Sequence, residues 1–164
     1  MTKKIIKCIL SIVIFILSYI LQIYVINNTT LLGVSGDLCL MVVVITALIH
    51  KDYVAYIMAG ILGIISDILF SPATLKYLVI YIIVVAVLLE LKKMYRQDSK
   101  LAIIIFSVTG SVISEVIMYI FNIITKVEFV NIFLYVFMVI KGCIVNICLA
   151  FLVYLVLNLF KQEG

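Results

Sequence analysis

Six long apolar runs, parted by breaks of only a few polar residues, leave this chain little to fold into except helices stacked across a bilayer. A spanning helix needs about 20 predominantly apolar residues. The runs fall at about 8–26, 38–49, 53–70, 75–91, 101–124 and 130–160. With 67% hydrophobic residues in 164 and a mean hydropathy of +1.41, the chain has more apolar surface than a soluble domain of this size can cover, whereas lipid solvates it. The reading is an all-α, polytopic membrane protein: one domain over residues 1–164 with six transmembrane helices.

The breaks set topology. Asn27-Asn28-Thr29-Thr30 ends span one, and His50-Lys51-Asp52 turns so tightly that spans two and three must be antiparallel neighbours. Ser71-Pro72-Ala73-Thr74 parts spans three and four, and the charged stretch from Lys92 to Lys100 parts spans four and five. Lys3, Lys4 and Lys7 ahead of an apolar run resemble the start of a secretory signal. No small-residue cleavage pattern follows, so the run is read as a retained span. An N-terminus inside puts Lys3, Lys4, Lys7, Lys51, Lys92, Lys93, Arg96, Lys100 and Lys161 in the cytoplasm and only Lys76 and Lys126 outside. That bias places both termini in the cytoplasm. The net charge of +4 thus goes to anchoring helix ends, and no basic groove with interleaved aromatics is left for nucleic acid.

Three charged residues fall well inside the spans, away from their ends: Asp67, Glu115 and Lys141. Each costs about 2.5–3.5 kcal/mol to insert into a membrane and so calls for a partner or a function. Tyr56, Gly60, Gly63 and Asp67 recur at three- and four-residue steps, a narrow stripe of small and polar groups on span three. Glu115 shares a face of span five with Ser107, Ser111, Ser114, Met118 and Asn122, with Gly110 at its edge. Counting about 1.5 Å per residue puts Asp67 and Glu115 each roughly 21 Å above the inner helix ends. The expectation is that Lys141 pairs with Asp67, Glu115 or both, with Gly142 and Asn146 easing the fit. Helix packing or a partner interface is the expected role of the set, and Asp37 is expected at the outer water boundary.

Catalysis finds no support in the residues. His50 is the single histidine, no His or Cys pair has ligand spacing, and the serines lack an evident base. A phosphate-cradling glycine loop with its lysine is absent too. Cys8, Cys39, Cys143 and Cys148 lie in or beside apolar runs without CxxC spacing and read as buried, inert thiols. The expectation is a non-enzyme without metal or cofactor; a membrane-embedded hydrolase using Asp67 and Glu115 as its two acids is the weaker alternative.

Two segments resemble those of a known family. Gly36-Asp37-Leu38-Cys39-Leu40 is similar to the Pro-Asp-Leu-Leu-Leu segment that opens span two of MreD, the six-span rod shape-determining membrane proteins of bacteria, with glycine in place of proline. Ala59 to Phe70 is similar to the family's Gly-x-x-x-Gly-Leu-x-x-Asp segment in span three, with the glycines here at Gly60-x-x-Gly63. The resemblance implies a non-catalytic scaffold in the bacterial cytoplasmic membrane that binds an MreC-like protein. Through it the scaffold would link MreB filaments to the RodA-type glycosyltransferase and class B penicillin-binding protein that elongate peptidoglycan. The family is also thought to look like the substrate-binding subunits of energy-coupling-factor vitamin transporters, which supplies the alternative. Such subunits dock through alanine-spaced positions on span one, where this chain has Ser11 and Ser18 and no alanine.

Overall fold

A computed structural model describes residue 20 and residues 36–70, 75–94, 100–125 and 131–162. Span one apart from residue 20, the loops after spans three and five and most of the charged loop lie outside the described residues. Five helices are described: α1 Leu38–Ile49, α2 Asp52–Phe70, α3 Lys76–Lys92, α4 Lys100–Ile124 and α5 Ile132–Gln162. The protein is all-helical over these residues. Of the five, α2, α4 and α5 contain stretches long and apolar enough to cross a membrane: Asp52–Phe70, Leu101–Ile124 and Ile132–Leu155.

The shortest helix is the centre. α1 has 12 residues, and every one from Leu38 to Leu48 is buried, because α1 touches each of α2, α3, α4 and α5. Three consecutive valines, Val42 to Val44, make it a poor helix former in isolation. Burial on all sides and a side-chain cap hold it helical instead: the Asp37 carboxylate accepts the Leu40 N–H at 2.8 Å. At about 1.5 Å per residue α1 is about 18 Å long, well short of the ~30 Å hydrocarbon core.

The outer helices run antiparallel in sequence order. Asp67 near the end of α2 bonds the start of α3, and Lys92 at the end of α3 returns to His50 and Asp52 at the start of α2. Along α4 and α5, Glu115 meets Tyr135 and Ser111 meets Asn146, so one helix descends as the other climbs. Close approach is set by small residues. A Cβ on Gly110 would lie 2.7 Å from Val44 Cγ2 on α1, and one on Gly36 would lie 2.5 Å from Leu149 Cδ1 on α5.

The outward faces are apolar. Ile57, Ile61, Ile64 and Ile68 on α2 and Phe133, Phe137, Ile140 and Ile144 on α5 are all exposed. Such continuous apolar surface is foreign to a soluble monomer and matches a lipid environment.

Candidate functional site

Asp67 holds the end of a helix. Only 4% exposed, its Oδ1 accepts the Tyr77 N–H at 2.8 Å and its Oδ2 the Leu78 N–H at 2.9 Å. Those are two of the donors that the first turn of α3 leaves unsatisfied, and the carboxylate also lies at the favourable end of that helix's dipole. Gly63 makes this possible. A Cβ there would sit 2.5 Å from Leu78 Cα, so the α2 and α3 backbones touch at that point. The expected stripe therefore divides. Gly63 and Asp67 pack inward, whereas Tyr56 is 43% exposed and a Cβ on Gly60 would meet nothing within 4 Å. The buried face of α2 centres on Ala55, Ala59 and Ser66, with Tyr56 and Gly60 at its margin.

Lys141 does not pair with either acid, contrary to expectation. Its ammonium lies 4.5 Å from the centre of the Phe137 ring. The ion pairs among the described residues are Lys92–Asp52 and Lys93–Glu90, both at the end of the bundle that carries the α1–α2 turn. The reason is angular. Tyr135 and Asn146, the two polar contacts that α5 makes to its neighbours, are eleven residues apart and share a face to within about 20°; Lys141 is about 120–140° away from both. Gly142 is buried, but beside no such pair.

Glu115 instead receives the Tyr135 hydroxyl, which lies 2.9 Å from its Oε2 and 2.7 Å from its backbone carbonyl oxygen. The polar side of α4 is as read from the sequence: Ser107, Gly110, Ser111 and Ser114 are all buried. Asn146 links three elements. Its Nδ2 donates to Ser111 Oγ at 3.0 Å and its Oδ1 accepts the Asp37 N–H at 2.9 Å.

Asp37 is the residue whose place differs most. It was expected at the outer water boundary, yet it lies between α3 and α5, with the Tyr81 hydroxyl 3.3 and 3.4 Å from its two oxygens. Tyr81 is itself fully buried. Counting about 1.5 Å per residue from the α1–α2 turn, Asp37 stands about 20 Å up, level with Asp67 and Glu115.

Beside Asp37 lies a cavity of about 200 Å³ whose lining includes Asp37, Ser66, Tyr77, Tyr81, Ser114 and Glu115, with Phe70 and Met118. Ser66 is 1% exposed and its Oγ has no hydrogen-bond partner among the described residues. Asp67 and Lys141 are not part of this lining. Among the described residues no group of three or more His, Cys, Asp or Glu is placed to hold a metal ion. Cys39, Cys143 and Cys148 are free thiols; Cys39 is buried as expected, but Cys148 is exposed on the outer face of α5. Cys8 lies outside the described residues. Comparison with family models, curated proteins and solved structures finds no match for this chain.

Proposed function

We propose that this protein is a non-catalytic, six-span scaffold of the bacterial cytoplasmic membrane, with both termini inside, that binds an MreC-like partner in the rod complex. Through that partner it would serve cell-shape maintenance and peptidoglycan elongation by a RodA-type glycosyltransferase and a class B penicillin-binding protein, in register with MreB. The observation that supports it most is the use made of the two acids in the family-like segments. Asp37 caps α1 and meets Tyr81 of α3, and Asp67 joins the end of α2 to the start of α3, so both acids serve helix contacts. A bundle so joined, with apolar outward faces on α2 and α5, would position a partner's transmembrane helix by shape and need no chemistry of its own.

The test is co-purification with a coexpressed MreC-like protein in mild detergent. Gly60→Leu, on the open margin of α2, is expected to reduce recovery of the partner while leaving the helical content of the protein unchanged. Undiminished recovery would remove that margin from the interface, and failure to recover any MreC-like protein with the unaltered chain would sink the scaffold reading.

The polar cavity is the observation on which a second reading rests, the substrate-binding membrane subunit of an energy-coupling-factor vitamin transporter, whose ligand would need more room than the about 200 Å³ present. In that case the same preparation carries a coupling ATPase complex or a tightly held small molecule in place of the MreC-like protein.

A further inference from the structure

We infer that the cavity between α1, α2, α3 and α4 is a binding site for a small organic ammonium ion, and this inference stands whichever partner the bundle docks. Four observations lead there. Two carboxylates, Asp37 and Glu115, line the cavity, and neither has a cationic partner among the described residues. Each keeps acceptor capacity. The bonds to Asp37 come from the Leu40 N–H and, at longer range, the Tyr81 hydroxyl, and the bond to the Glu115 carboxylate comes from the Tyr135 hydroxyl on Oε2. Both are half-buried, and negative charge partly withdrawn from water without a counter-charge among the described residues is unfavourable, which a cation in the cavity relieves.

Ser66 is the independent sign. Its hydroxyl is buried on the cavity wall, near the Tyr81 hydroxyl that turns to Asp37, and among the described residues it makes no hydrogen bond of normal geometry. Buried hydroxyls in native proteins are satisfied as a rule, and one left open on a cavity wall is satisfied by what fills the cavity.

The remaining two observations choose the kind of cation. The cavity holds about 200 Å³, below the ~300–1,000 Å³ of drug-sized sites, yet several times the ~30 Å³ that one water occupies. A bare metal ion would leave most of that space empty, and the described residues form no three-ligand cluster for one. Tyr77 and Phe70 stand edge to face with centroids 6.2 Å apart, and Tyr77 and Tyr81 with centroids 6.1 Å apart, so aromatic walls meet the carboxylates. Aromatic rings beside acids and hydroxyls recognise alkylammonium groups: rings take the alkyl part and the spread charge, oxygens take the N–H groups.

The experiment uses the full chain purified in detergent. Equilibrium dialysis with radiolabelled methylammonium and choline, together with thermal unfolding midpoints, is compared with sodium chloride at matched ionic strength and with uncharged propanol. The expected result is saturable binding of one ammonium per chain, with a raised midpoint that sodium and propanol do not reproduce. Glu115→Gln should weaken binding about tenfold or more, since it removes the charge from one hydrogen-bonding oxygen pair. Ser66→Ala should weaken methylammonium binding about threefold to tenfold and yet raise the ligand-free midpoint, because it deletes an unsatisfied buried hydroxyl. A merely structural serine moves stability alone, so the opposed changes identify a binding role. Absence of saturable ammonium binding, an equal response to sodium, or unchanged affinity in Ser66→Ala each overturns the inference. Ser66→Ala decides even where Glu115→Gln does not fold.

Discussion

Replacing Gly63 by alanine, set against the same change at Gly60, isolates what the α2–α3 contact contributes. The two positions lie on one helix three residues apart, so the gain in helix propensity, up to about 1 kcal/mol on going from glycine to alanine, is common to both. Their surroundings differ. The Gly63 Cβ would stand 2.5 Å from Leu78 Cα, 3.0 Å from Leu78 N and 3.2 Å from Leu78 Cβ, whereas the Gly60 Cβ would meet nothing within 4 Å. The obstacle at Gly63 is backbone, so no rotamer change relieves it and the helices must separate by about 1 Å to reach ordinary contact distances. Overpacking of this kind costs about 1–3 kcal/mol. The same separation stretches the Asp67 bonds to the Tyr77 and Leu78 N–H groups from 2.8 and 2.9 Å toward the limit of hydrogen bonding, a further loss of about 1 kcal/mol or more. Gly63→Ala should therefore be about 2–4 kcal/mol less stable than Gly60→Ala, independent of propensity. Reversible unfolding in mixed micelles, followed by circular dichroism, measures the difference. Equal stability of the two variants, or a more stable Gly63→Ala, would refute the claim that these backbones touch.

Asp67→Ala leaves two half-buried N–H groups of α3 without their partner and should cost about 1–3 kcal/mol in the same unfolding assay. Asn146→Ala strips a partner from both the Asp37 N–H and Ser111 Oγ and should cost about 1–3 kcal/mol; Cys148→Ala, one half-turn along on the exposed face of α5, should stay within about 0.5 kcal/mol. Lys141→Met should not reduce the amount of folded protein in membranes, measured by size-exclusion of solubilised material. It gives up a ring contact worth about 0.5–1 kcal/mol and removes a charge whose insertion costs about 2.5–3.5 kcal/mol. A clear loss of folded protein would mean that Lys141 has an acid partner after all.

The helices were legible because charge marks their ends. Lys51-Asp52, Lys76, Lys92 and Lys100 sit at or beside observed helix limits, and the tight turn at His50-Lys51 is as the spacing requires. The buried side of α4 was legible for a related reason: small and polar residues recur there at helical steps in an otherwise apolar run, and Gly110 and Ser111 do press on α1 and α5. Pairing was not legible from charge. Opposite signs in one membrane suggested Lys141 with Asp67 or Glu115, yet a carboxylate beside a helix start is well satisfied by backbone N–H groups and needs no cation. A closer count of angles on the last helix would have shown Tyr135 and Asn146 on one face and Lys141 on another.

The depth of Asp37 was within reach of the same simple arithmetic. A run of 12 apolar residues that starts at a tight turn rises about 18 Å, so the acid before it cannot stand at the far surface of a core about 30 Å thick. Within the bundle it is half-buried, and its donors there are the Tyr81 hydroxyl and the α1 backbone. The short central helix thereby explains the cavity. Where α1 stops, α4 and α5 continue for two turns or more, and among the described residues the space above its end is lined by side chains from α2, α3 and α4. A helix of full spanning length in that place would have filled the space with its own backbone and carried Asp37 out to water.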